Sequence, residues 1–338
     1  MRRSASIVRR GVTIIELIVA LAIISLLFAL IVPAVQSSRE SMRRLSCQAK
    51  MRDVALAWRL ASEATDERIG PVSSIFFELA SYLDIGEVSF HHANQPGVPQ
   101  AERRRFSAAI SPRLSCPSDG RVTPAEGNYS FTFNRGIDHL YGDGVMTRGG
   151  LVQPDEFPDG ASTTLLMSER VVPYGSGPEN ATILTDDAVR LRDPLLHLWY
   201  LERDFSFLDR GASGENGLLA DWADCVQATK TMRTGLLPLF IRNGQRAIGS
   251  FPSHPSFGTF ATPNTPACFP LKSRPGRALA QQHYDEVRIL DPPTSRHRSG
   301  VNVAMGDGSA RFLSDEIDMR LWIRMGTRSS EETKLPGF

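Results

Sequence analysis

An uncharged stretch from Leu17 to Val35, "LIVALAIISLLFALIVPAV", constrains this chain more than any other feature. Ser25 is its one clearly polar residue. As an α-helix these 19 residues rise roughly 28 Å, about the hydrocarbon thickness of a bilayer. Arg2, Arg3, Arg9 and Arg10 precede the run, so the positive-inside rule keeps the N-terminus cytoplasmic and exports the chain beyond the run. A cleaved secretory signal would want an apolar core of about 7–15 residues and then a small-residue cleavage site, and this core is longer. The chain as a whole has ordinary globular composition, 41% hydrophobic and 22% charged. With 38 Lys plus Arg against 37 Asp plus Glu, it lacks the basic excess of a nucleic-acid binder, and nucleic acid is not an expected partner.

Glu16 argues against a plain anchor. It stands one residue before the apolar run, where a carboxylate near hydrocarbon costs a few kcal/mol unless it is paired. Cleavage after Gly11 would place a new α-amino group on Val12, and that amine of one subunit suits Glu16 of its neighbour. The stretch "RRGVTIIEL" resembles the leader of type IV prepilins and type II secretion pseudopilins. The shared pattern is a short basic peptide ending in Gly, an apolar first mature residue, Thr, and Glu at the fifth mature position. Val12 departs from the usual Phe but stays hydrophobic. The resemblance implies a membrane prepilin peptidase that cuts between Gly11 and Val12 and methylates the new N-terminus. It also implies an assembly role for Glu16 and other pilin or pseudopilin subunits as partners.

Pro33 lies near the end of the run, where it can kink a helix without ending it. Beyond it, residues 36–64 contain neither Gly nor Pro. Met42, Leu45, Ala49, Leu56 and Leu60 recur mostly at three- and four-residue steps, which predicts an amphipathic continuation packing on a soluble domain. One helix from Val12 to about Ala61 is expected, roughly 75 Å long. Gly70 and Pro71 come next as stop signals. A short helix is predicted within 73–86, little regular structure over 86–127, and strands at 128–134, 162–172 and 301–313. A last helix over 315–325 is expected to bury Ile317, Leu321 and Trp322. Residues 173–296 show no repeat and no clean periodicity.

Near the C-terminus, "HRSGVNVAMGDGSARFL" places nine residues between His297 and the Asp307-Gly308 pair. This resembles the His, nine-residue, Asp-Gly motif of a bacterial family that joins a prepilin-type N-terminus to the "domain of unknown function 1559". The stretches "RRLSCQAKMRDVALA", "LSCPSDG", "FPDGASTTLLMSER" and "TPNTPAC" agree in order, and Lys50 stands where the family usually has Asn. Physically, Asp-Gly between two apolar runs is a hairpin signal, because Gly tolerates positive φ. The predicted hairpin spans 297–313, with the His297 ring bonded to a backbone carbonyl or to Asp307. The functional alternatives are a calcium or catalytic site built from His297, Asp307 and Glu169. Calcium wants six to eight oxygens, and no dense acidic loop is present.

The four cysteines, Cys47, Cys116, Cys225 and Cys268, form no Cys-x-x-Cys pair, so spacing gives no zinc signature and no metal site is expected. Export permits disulfides. Cys225 with Cys268 is the first pairing to expect and Cys47 with Cys116 the second, with buried free thiols as the alternative. No Gly-x-Ser-x-Gly, phosphate-loop or dinucleotide fingerprint occurs, so no enzyme activity and no cofactor are expected.

The sequence therefore describes an α+β protein in three parts. Residues 1–11 are a leader, 12–62 a transmembrane and stalk helix, and 63–338 one exported β-rich domain. The expected role is a structural subunit of a pilus-like or pseudopilus-like assembly in the inner membrane. The alternatives are a tethered binding module for polysaccharide or exported cargo, and an exported enzyme using His297 with Asp307.

Overall fold

The computed structural model describes residues 13–65, 68–70, 75–85, 105–119 (107 excepted), 129–137, 143–171 (148 excepted), 198–201, 220–227 (221 excepted), 256–270 (266 excepted) and 292–329. The chain divides into two compact units, Met1–Arg43 and Arg44–Phe338. The first unit is helical from Ile14 onward, in the long helix α1 (Ile14–Ala64). Its apolar side chains from Ile14 to Val35 are all exposed, Ile14 at 79%. Pro33 sits inside the helix without ending it. Among the described residues α1 is the one helix long and apolar enough to cross a membrane.

The second unit is built on a five-stranded mixed sheet. Its strands are β1 (Phe131–Asn134), β4 (Leu165–Glu169), β6 (Ser256–Phe257), β8 (Gly300–Met305) and β9 (Ala310–Ser314). Their order is β6-β1-β4-β8-β9, with β6 parallel to β1 and the other neighbours antiparallel. Two smaller ladders pair β2 (Met146–Thr147) with β3 (Gly150–Leu151), and β5 (Leu198–Leu201) with β7 (Ala267–Pro270).

Strands β1, β4 and β8 are buried along their whole length, so both sheet faces carry a core. Along β8, Val301, Val303 and Met305 join Trp322 and Ile323 of α3 (Met319–Gly326) in one core. Ala304 joins the other core, with Phe131, Leu166 and the side chains Cys47, Met51, Val54 and Trp58 of α1. This alternation is the two-residue period of a strand covered on both sides. Helix α2 (Ile75–Ala80) adds Ile75, Phe76 and Leu79 to the second core, with Phe76 edge-on to Tyr129 at 4.8 Å.

Helix α1 runs along β8. Gln48 Nε2 donates to Asn302 Oδ1 at 3.0 Å, and Arg59 Nη1 donates to the Asp307 carbonyl at 3.3 Å. The eleven helical steps from 48 to 59 rise about 16 Å, as do the five strand steps from 302 to 307. The two ends of β8 are therefore read by two different turns of one helix.

Several expectations require correction. The domain does not take the Leu45–Ala49–Leu56–Leu60 face of α1. It takes Cys47, Met51, Val54, Trp58 and Ala61, a second stripe at three- and four-residue steps. Leu45, Leu56 and Leu60 remain 57%, 56% and 42% exposed. At about 3.6 residues per turn the two stripes lie roughly half a turn apart. The helix carries apolar residues on both sides, so periodicity alone could not choose between them. Within 86–127, where little regular structure is expected, the described residues include helical turns at 105–106 and 108–110 that bury Phe106 and Ile110. The last helix starts later than expected: Asp318 caps it by accepting from Arg320 N and Leu321 N, each at 3.0 Å. That register buries Trp322 and Ile323 and leaves Leu321 51% exposed.

Candidate functional site

At the start of β8 four buried side chains from four separate segments converge: Cys47, Cys116, Glu169 and His297. Cys47 lies on α1, one residue before the Gln48 that meets Asn302. Cys116 comes after the helical turns at 105–110, and Ser130 Oγ accepts from its backbone N at 2.6 Å. Glu169 ends β4, opposite Phe131 of β1. His297 precedes β8, where its backbone N donates to Ser295 Oγ at 3.0 Å. Thr294 ties that segment to β4, its N donating to the Glu169 carbonyl at 3.1 Å.

Within the group, Cys47 Sγ donates to Glu169 Oε2 at 3.2 Å. Cys116 Sγ lies 3.3 Å from His297 Nε2, and His297 Nε2 lies 3.7 Å from Glu169 Oε2. The four donor atoms all lie within 4.8 Å of one another. Glu169 Oε1 is saturated from the far side by Asn302 N at 2.7 Å, Ser295 Oγ at 2.8 Å and Asn302 Nδ2 at 3.2 Å. That leaves Oε2 turned inward. Ser118 Oγ stands 3.4 Å from His297 Nδ1, so the outer ring nitrogen also has a partner.

The protonation of these groups is mutually dependent. Burial pushes the Glu169 carboxyl up to about 8, and the negative charge of Cys116 adds to the push. The hydrogen bond from Cys47 draws the Cys116 thiol down to about 5, against burial and with help from His297. Burial, together with Cys116 and Glu169, raises Cys47 well above the usual thiol range. These shifts push Cys116 toward the thiolate and Cys47 and Glu169 toward their protonated forms. Lys50, whose Nζ donates to the Ser115 carbonyl at 3.0 Å, is lowered by burial and drawn back up by both sulfurs. Lys50 thus sets a cation beside the cluster.

The residues singled out from sequence divide sharply. His297 meets Glu169, as the site alternative required, but Asp307 is not with them. It sits at the far end of β8, exposed in the hairpin tip, where its Oδ1 accepts from Ser309 N at 2.8 Å. Gly308 is next, with φ +84° and open space around it. A site of His297, Asp307 and Glu169, whether for calcium or for catalysis, is therefore not assembled. The strand that separates the two motif ends keeps them apart. Cys47 and Cys116 do come together, yet both are free thiols. Their sulfurs are turned to Glu169 and His297 rather than joined in the expected bridge. Cys225 is buried and disulfide-bonded; Cys268 lies in β7, and its side chain is outside the described residues.

At the N-terminus, Gly11 and Val12 are outside the described residues. Glu16 has a local partner besides the intersubunit one expected for it. Its Oε2 accepts from Thr13 N at 2.8 Å and Thr13 Oγ1 at 2.9 Å, while Glu16 N donates to Thr13 Oγ1 at 3.2 Å. This reciprocal Thr-x-x-Glu pattern is a capping box. It is legible in the sequence, as Thr13 with Glu16 three residues later.

The architecture is that of an α+β domain with a closed polar cluster under the sheet, carried behind an apolar N-terminal helix. The family described as "protein of unknown function (DUF1559)" matches residues 79–320, and the chain belongs to that family. The match begins after α1 and includes Cys116, Glu169 and His297 but not Cys47. No curated protein and no solved structure matches the chain.

Proposed function

We propose that this is a prepilin-like structural subunit, not an enzyme. It would be held as a single-pass protein in the inner membrane with its N-terminus cytoplasmic. A prepilin peptidase would cut between Gly11 and Val12, and other pilin-type subunits would be its partners in a type IV pilus-like or type II secretion pseudopilus-like assembly. The observation that carries the reading is the exposed apolar stripe of α1. Leu45, Leu56 and Leu60 stay exposed on the helix side turned away from the sheet, and they continue on one helix the exposed apolar residues from Ile14 to Val35. A leucine stripe of this kind is a helix-packing surface in want of a partner. A neighbouring helix of the same kind would cover both the leucines and the apolar run. In such an assembly the Val12 amine of one subunit would compete with Thr13 for the Glu16 carboxylate of the next.

The test is intact-mass and N-terminal analysis of the chain taken from native membranes. A mature chain that begins at Val12 and carries one extra methyl group is the expected result. An intact Met1, or a start near Gln36, would remove the assembly role of Glu16. Leu56→Asp should block co-purification with other subunits while leaving the domain's thermal transition in place.

A further inference from the structure

We propose that Cys47, Cys116, Glu169 and His297 form a four-coordinate structural zinc site. The donor set is two sulfurs, an imidazole nitrogen and a carboxylate oxygen, which is ordinary chemistry for Zn²⁺. Among the described residues no other grouping of at least three His, Cys, Asp or Glu side chains converges in this way. The absence of a Cys-x-x-Cys pair does not count against it, because each ligand comes from its own segment and the fold supplies the spacing.

The geometry fits a tetrahedron. With Zn–S near 2.3 Å and Zn–N and Zn–O near 2.1 Å, the edges of such a site are about 3.6 Å for S–O, 3.6 Å for S–N and 3.4 Å for N–O. The corresponding separations here are 3.2 Å (Cys47 to Glu169), 3.3 Å (Cys116 to His297) and 3.7 Å (His297 to Glu169). The other three pairs lie within 4.8 Å, so a modest closing of the cluster would seat the ion.

The surroundings are those of a metal ligand shell. In zinc sites the outer atoms of the ligands are themselves held, which fixes where the inner atoms point. Glu169 Oε1 is held by three donors, from Ser295 and Asn302. Asn302 is in turn oriented by Gln48, and His297 Nδ1 faces Ser118. Charge is also balanced. Zn²⁺ with two thiolates and one carboxylate leaves a single negative charge, and the Lys50 ammonium interacts with both sulfurs. On binding, each ligand group that still carries a proton, Cys47 and Glu169 foremost, gives it up to solvent as its bond to the ion forms, so uptake of the ion releases protons.

The redox state of the cysteines points the same way. Cys225 is disulfide-bonded, whereas Cys47 and Cys116 stay thiols although their sulfurs lie side by side. A bound zinc would hold both sulfurs as thiolates and keep them from pairing with each other. With all four positions filled by protein, the ion has no open coordination place for substrate. Its work is to clamp α1 to the loop before β1, the end of β4 and the approach to β8.

The experiment uses the full chain in detergent micelles. Zinc is added, excess is removed by dialysis, and metal per chain is measured by elemental analysis alongside alkylation of free thiols. One zinc per chain is expected, with Cys47 and Cys116 protected until a chelator is added. Cobalt in place of zinc should give the visible bands of a tetrahedral centre and a thiolate charge-transfer band in the near ultraviolet. That measurement needs no variant. Ser295→Ala, which removes one donor to the outer oxygen of Glu169, should weaken zinc binding on the order of 10–100-fold. The proposal is overturned if no stoichiometric metal is retained, if cobalt gives an octahedral spectrum, or if peptide mapping of the untreated protein finds Cys47 joined to Cys116.

Discussion

The two ends of β8 hold the two halves of one sequence motif and have opposite characters. At the His297 end, four buried polar side chains face one another, and every outer atom of Glu169 and His297 is held by a further group. At the Asp307 end the chain makes a tight turn in water. There Gly306 N donates to the Thr164 carbonyl at 2.9 Å and Asp307 N to the Ala161 carbonyl at 3.0 Å. The Asp307-Gly308 turn therefore packs against another Asp-Gly turn, at Asp159-Gly160, where Gly160 has φ +98°. One end is polar chemistry removed from solvent and the other is backbone geometry. A spaced His and Asp-Gly look like a single site along the chain, yet a strand of six residues holds them on separate tasks.

Measurements that remove one end at a time will break or sharpen this contrast. The largest effect should come from Glu169→Ala. It leaves Asn302 N and Ser295 Oγ without their acceptor in a buried place, and a loss of about 3–5 kcal/mol is expected in chemical denaturation. A loss below about 1 kcal/mol would mean that the cluster is not the tightly held end. Next is Gly306→Ala at the hairpin end, where a Cβ would stand 2.8 Å from the Phe157 ring and 3.0 Å from the Ala161 carbonyl. Overpacking of that kind should lower stability by about 1–3 kcal/mol, and the thermal midpoint will report it.

Asp307→Ala removes one exposed hydrogen bond to Ser309 N, and its cost should be about 1 kcal/mol or less. If Asp307→Ala matched Glu169→Ala, the two ends would be energetically one site after all. The smallest effect should lie beside the Asp159-Gly160 turn, at Glu156. Burial raises its carboxyl, but the Gln153 backbone N–H and the neighbouring Arg68 and Arg328 together hold it below the usual range. A depressed carboxyl contributes stability above its ordinary titration range and loses it as pH falls through the lower folded value. For so exposed a pair the contribution should stay within about 1 kcal/mol after solvent screening. Acid titration of wild type against Glu156→Gln will measure the difference.

Much of the fold was legible along the chain. The helix over Ile14–Ala64, the hairpin of β8 and β9, the strands β1 and β4 and the C-terminal helix all arise from apolar periodicity and from Gly, Pro and Asp placed as stops and turns. These are local signals, and local backbone preferences suffice to produce them. The capping box at Thr13 and Glu16 is equally local.

Three features depended on the tertiary structure. The first is which of two apolar stripes on α1 meets the sheet. Both repeat with the helix period, and the choice of Met51, Val54 and Trp58 over Leu45, Leu56 and Leu60 depends on the shape of the surface they fill. The second is the separation of His297 from Asp307, because a strand between them runs straight. The third is the cluster itself. Cys47, Cys116, Glu169 and His297 are far apart along the chain, and no spacing rule links them. By itself the sequence determined an apolar helix ahead of an α+β domain of a known family, because periodicity, turn residues and motif order are carried by neighbouring residues. Only the folded sheet, with α1 laid along β8, decided that those four side chains would share one buried space. Contacts between distant segments are set by packing, and packing is not written in any one stretch of the chain.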